Sequence, residues 1–208
     1  MKSSKLVIFL SSTALIACGK DTGNSSAANG AAAKIAVTDA ALVGNPFMEE
    51  WDTPYGVPPF AAIEESHYLP AAKKGILEMR SEIAAILANP ADPTFDNTIL
   101  AMEKAGRLVN KVSTTFFNIT GTELTDGLQE LRIEISPMLS REYDAINLNT
   151  ELFERVQAIY AQKDALGLGE QEARLLELSH REFVRSGAAL NQDIKDQITE
   201  INAELASI

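Results

Sequence analysis

The chain has 208 residues, 46% of them apolar, and a formal charge of −11. That length allows one domain with extras or a piece of something larger, and the apolar share is enough for a core. A surface this acidic, without any concentration of Lys or Arg, excludes nucleic acid as a partner. It reads as a solvated surface, or as one that favours basic peptides. With a single cysteine, Cys18, no internal disulfide is available and the fold rests on packing.

The first 17 residues have the anatomy of an export signal. Lys2 and Lys5 form a positive start, and an apolar run follows over residues 6–16. The run is shorter than the ~20 residues a bilayer-spanning helix needs. It closes on Leu15-Ile16-Ala17-Cys18, which resembles a bacterial lipobox. In that reading Cys18 carries the lipid and becomes residue one of the mature protein; the alternative is an ordinary secretory signal with an incidental cysteine. Losing Lys2 and Lys5 leaves 16 basic against 29 acidic residues, a charge of −13. The sequence up to residue 44 is rich in Gly, Ala, Ser and Asn and reads as a flexible tether, reaching on the order of 25–30 Å from a membrane. The expected location is the bacterial cell envelope, by default the outer membrane facing the periplasm.

Residues 47–60 hold three prolines and Trp51, and read as an extended arm that packs its indole, a structural residue, onto the helical bundle. Beyond Phe60 apolar residues recur at three and four, which predicts an all-α helical bundle of five or six helices. Pro70 fits a first-turn position. Asn89-Pro90-Ala91-Asp92-Pro93 breaks one helix, and Asp96 or Asn97 caps the next, whose stripe is Ile99, Met102, Val109, Val112 and Phe116. Gly121-Thr122 ends it, with Thr122 as a cap and Thr125 or Asp126 in the following first turn. Leu124, Leu128, Leu131, Ile135 and Met138 line the third helix, residues 147–150 separate the third from the fourth, and Leu166-Gly167-Leu168-Gly169 separates the fourth from the fifth. Leu176, His180, Phe183, Gly187 and Leu190 form the next stripe, which makes His180 a buried, hydrogen-bonded structural residue. The last stripe runs Ile194, Ile198, Ile201, Leu205, Ile208 and ends without a glycine cap or basic last turn. That reads as a helix cut partway, with an apolar face open to self-association.

Several of these landmarks fall in one order: Asn45-Pro46-Phe47, then the run from Trp51 through Pro58-Pro59-Phe60, then His67-Tyr68-Leu69-Pro70-Ala71. Asn97-Thr98-Ile99 with Glu103 comes next, then Phe116-Phe117, and Leu175-Leu176-Glu177 ahead of His180, Phe183 and Gly187-Ala188. The order and spacing resemble the N-terminal helical region of bacterial peptidyl-dipeptidases, in the thimet oligopeptidase-like family of zinc metallopeptidases. The resemblance covers nearly all of residues 45–208, which form the expected helical domain after a leader (1–17) and a linker (18–44). It implies one wall of a deep channel for short unfolded peptides, in an enzyme that releases C-terminal dipeptides.

The family's zinc rests on a His-Glu-x-x-His helix, with two imidazoles one turn apart and a glutamate that activates water. This chain has no such motif, and its only histidines, His67 and His180, are far apart. His67 caps or braces the turn at Tyr68-Leu69-Pro70. No nucleophile elbow, phosphate loop or triad signal is present either. The sequence therefore assigns no catalytic or metal residue here, with zinc expected only in the complete family enzyme. The alternative reading is a non-catalytic helical periplasmic lipoprotein that binds peptides or a protein partner.

Overall fold

A computed structural model of the chain describes residues 35–207. The leader, Cys18 and most of the linker lie outside the described residues, as does Ile208. The described residues are all-α: an irregular arm leads into seven helices, with no strand among the described residues.

The arm is pinned rather than draped. Asn45, buried in the interior, donates from Nδ2 to the His67 carbonyl at 2.9 Å and accepts the Phe47 amide on Oδ1 at 3.0 Å. Those two bonds drop Phe47 into the core, 5.3 Å from the Tyr68 ring, which in turn meets Phe116 edge-on at 5.1 Å. Trp51 lies half-buried behind Phe47, its indole N–H bound to the Pro46 carbonyl. Lys111 sits 4.1 Å over the indole ring while donating to the Phe47 and Glu49 carbonyls. Phe47 is thus the arm's deepest anchor, with Trp51 as its cover. Ile35 already rests on the core, and a short 3-10 turn forms at Asp39–Ala41, so ordered contact begins inside the stretch expected to be tether through residue 44.

Helix α1 (Glu65–Leu87) opens with a reciprocal cap in which Glu64 N–H donates to His67 Nδ1 at 2.9 Å. Because that cap starts the helix early, Pro70 falls in its second turn and not its first, which removes a bond to the Ser66 carbonyl. Thr94, not Asp96 or Asn97, caps the next helix. Asn97 stands three residues on and returns its side chain to the Thr94 amide. The helix begins as a π turn (Phe95–Leu100), continues as α2 (Ala101–Lys104) and then breaks.

Gly106 adopts a left-handed φ of +71° and gives its amide to Glu82 at 2.7 Å. The stripe expected to be one helix is therefore two, and α3 (Arg107–Thr122) starts afresh. Thr122 is the last residue of α3, and Thr125 is the cap of α4 (Asp126–Asn147). Asn149 and Asn191 cap α5 (Thr150–Tyr160) and α7 (Gln192–Leu205), while Gly169 precedes α6 (Glu170–Ser186).

The core lies where α1 crosses α3 and α4. Ile76, Val109, Val112, Phe116 and Ile135 are fully buried there. Gly75 makes the α1–α3 crossing close: a Cβ placed on it would stand 2.6 Å from the Val109 amide nitrogen. Between α1 and α4, Arg80 grips buried Glu142 with two bonds, Nε to Oε2 at 2.6 Å and Nη2 to Oε1 at 2.5 Å. That pairing, chiefly its hydrogen bonds, raises Arg80 above its already high value.

Helix α7 packs on α4 with its polar side. Asn202 donates to Asp144 at 2.8 Å, Ser140 donates to the Asn202 carbonyl at 3.4 Å, and buried Lys195 reaches Thr150 at 2.7 Å. Of the predicted last stripe, Ile198 is half-buried while Ile194, Ile201 and Leu205 face solvent. The open apolar face expected of this helix is thus present at Ile194, Ile201 and Leu205; the polar side by which α7 docks was not marked by the stripe.

Candidate functional site

Two adjoining depressions form one groove across the ends of α2, α4 and α6. They share Met102, Glu103 and Ile146 and measure about 540 and 230 Å³. The chain breaks between α2 and α3 at Ala105-Gly106, and Met102 and Glu103 just before the break line both depressions. The floor is apolar, with buried Phe183 and Ile83 and half-buried Leu175. One rim carries exposed Arg181 and Arg185 of α6, neither of which makes a salt bridge or side-chain hydrogen bond among the described residues. Glu103 and Glu182 stand in the same lining.

At the narrower end Tyr143 donates to the Asn110 side chain at 3.2 Å, and burial raises its pKa, so the phenol stays protonated at neutral pH. Guanidinium groups, carboxylates and an apolar floor can hold a peptide through its charged ends and side chains. No group here is positioned as a nucleophile with an adjacent base. Glu103, Leu175 and Phe183, three of the positions that carry the family resemblance, meet in this groove; Arg181 and Arg185 went unremarked in the sequence, although their spacing of four put them on one helical face.

The two histidines are engaged separately. His67 serves the cap of α1. His180 is half-buried, not fully buried: its Nε2 pairs with Gln157 at 2.7 Å and its ring stacks on Tyr160 at 3.9 Å, 3° from parallel. The stripe expected to carry it inward diverges after Phe183, since Gly187 turns left-handed and Leu190 is exposed. Burial, and secondarily Lys163 nearby, lowers the His180 pKa. Neither ring offers the shared, three-ligand arrangement a catalytic zinc requires, and the described residues hold no cluster of three His, Cys, Asp or Glu that could bind a metal. The described residues do not fit that ion.

No family model matches the chain. Individual proteins do. The chain is 41% identical over 164 residues to the dipeptidyl carboxypeptidase of Escherichia coli K12, covering 79% of this chain and 24% of that protein. The Salmonella typhimurium dipeptidyl carboxypeptidase is 38% identical over the same shares. Oligopeptidase A of Haemophilus influenzae is 24% identical over 153 residues, 74% of this chain and 22% of that protein. The chain thus spans about a quarter of the length of these curated relatives. Over the matched residues the chain is related to the dipeptidyl carboxypeptidases and, more distantly, to oligopeptidase A.

Proposed function

We propose that this chain forms the N-terminal helical wall of a peptide channel, working as part of a zinc peptidyl-dipeptidase whose metal helix lies outside these 208 residues. The carrying observation is the 41% identity across 164 residues in a chain that has only two histidines and no His-Glu-x-x-His. The groove gives the wall its contact surface: short peptides lie over Met102, Ile146 and Phe183, with a carboxylate toward Arg181 and Arg185. The chain alone binds such peptides weakly and does not hydrolyse them, because water activation at zinc needs three oriented ligands and a base.

Fluorescent tetrapeptides titrated into the purified chain test this. Binding that falls at least about fivefold in Arg181→Glu/Arg185→Glu, with no dipeptide released, fits the reading. Chelator-sensitive turnover by the chain alone overturns it, as does binding that ignores both arginines.

Residues 1–44 place the domain in this reading. Cys18 is lipidated and anchors it in the bacterial envelope, facing the periplasm, since multiple acyl chains hold where one binds only marginally. Cys18→Ser should move the protein from the membrane fraction to the soluble one; an unlipidated wild type found with the membranes would refute the anchor.

A further inference from the structure

The outward face of α7 has a composition that defines its partner. Ile194, Ile201 and Leu205 are 39%, 55% and 64% exposed, and Leu190 in the turn before them is 44% exposed. At 100° per residue the three helical positions fall within one narrow stripe. One flank of that stripe is already committed, because Lys195 and Asn202 on that side bind α5 and α4. The other flank is an acidic ridge: Asp193, Glu200 and Glu204, at spacings of seven and four, are all exposed. The surface is therefore an apolar strip walled by α4 on one side and by carboxylates on the other.

That pattern argues against a second copy. An antiparallel two-fold pairing of α7 lays each acidic ridge against its twin, which is repulsive, and a parallel pairing drives the ridge into the flank occupied by α4. It argues for an apolar helix edged with lysine or arginine. The family supplies such a candidate source in bulk, since the relatives are about four times as long as the span matched here. We propose that the exposed strip of α7 is the docking surface for the catalytic portion of the family polypeptide, which presents a basic-edged apolar helix to it. This rests on the proposed function but can fail separately from it.

The test replaces the matched segment of E. coli dipeptidyl carboxypeptidase with residues 45–208 of this chain. Hydrogen exchange across α7 is then followed in the chimera and in the free 208-residue chain. The expected result is exchange at least about tenfold slower in the chimera. Ile201→Asp/Leu205→Asp should abolish that protection, and Glu200→Lys/Glu204→Lys should reduce it. In the free chain the Ile201→Asp/Leu205→Asp pair should leave the melting temperature unchanged, because both side chains already face solvent; this separates lost docking from lost folding.

Equal exchange in chimera and free chain overturns the docking surface even if the chimera cleaves peptides, in which case the functional reading survives. A protected α7 in a chimera that cleaves nothing supports the docking and sinks the functional reading instead. A concentration-dependent dimer of the free chain, dissolved by the Ile201→Asp/Leu205→Asp pair, would assign the strip to a second copy and refute the proposal.

Discussion

Gly75→Ala sets two well-understood effects against each other. In a helix interior alanine is favoured over glycine by about 1 kcal/mol, so propensity alone predicts a more stable protein. The α1–α3 crossing predicts the reverse. The new methyl would sit 2.6 Å from the Val109 nitrogen and 2.8 Å from its Cα, where ordinary contact begins at 3.4 Å. Both atoms are backbone inside α3, so no rotamer change relieves the clash and the helices must separate by most of an ångström. A radial gap of that size forfeits roughly a quarter to a half of the dispersion at each affected contact. Ala71, Ala72, Ile76, Val112 and Phe116 are among the fully buried side chains that line the seam.

Overpacking of this kind typically costs about 1–3 kcal/mol, and with backbone on the receiving side the upper part of that range applies, which leaves a net loss of about 1–2 kcal/mol after the propensity gain. For a domain of this size that lowers the melting temperature by roughly 2–8 °C. Thermal unfolding followed by far-UV circular dichroism measures it. A Gly75→Ala protein that melts at or above the wild type would refute the claim that the crossing needs glycine.

Removing Glu142 should also destabilise: Glu142→Ala leaves Arg80 without its partner, and since Arg80 is partly exposed the loss should be nearer ~2 kcal/mol than the ~3–5 kcal/mol of a fully buried pair, read from urea unfolding. Asp144 is raised above the ordinary carboxylate value by burial, with the Asn202 bond opposing, so folding penalises its charged form. Asp144→Asn should therefore melt higher than wild type at neutral pH. That advantage should shrink as pH falls through the raised value and vanish once both states are protonated; an advantage that grows on acidification would contradict the sign. The His180 pKa is lowered, so its contribution is complete above the unfolded value of about 6.5 and is lost as pH falls through the folded one. In melts between pH 7.5 and 5, His180→Gln should flatten that part of the profile, and an unchanged slope would count against it.

Much of the fold could be read directly from residue types. Asn149 and Gly169 sit where the chain's punctuation put the helix boundaries, because such signals are local to neighbours in the chain, whereas the cap of α4 fell on Thr125 and not on Thr122. The break at Gly106 was hidden, since Met102 and Val109 are seven apart and a seven-residue step is also what an unbroken helix gives. That the apolar stripe of α7 stands open was legible in the sequence; which polar side docks was not, for a different reason. A stripe records where apolar residues lie on a helix, while the docked side was decided by Asp144, Ser140 and Thr150, up to about 60 residues away in the chain. The groove shared that difficulty: its two walls come from residues near 103 and near 181, and nothing local announces that they meet. Part of its lining was nonetheless marked in advance, through Glu103, Leu175 and Phe183, by resemblance rather than by periodicity.

The latch at Asn45 has a consequence for limited proteolysis. Between the docked Phe47–Trp51 segment and the first turn of α1 runs Pro54-Tyr55-Gly56-Val57, with Tyr55 fully exposed and at a positive φ of 61°. A protease that cuts there severs the backbone but none of the bonds that seat Phe47, Trp51 and Lys111. The nicked protein should keep its N-terminal piece as a tightly held peptide, co-eluting until denaturant is added. Scission in that loop would be silent in solution and visible only on a denaturing gel.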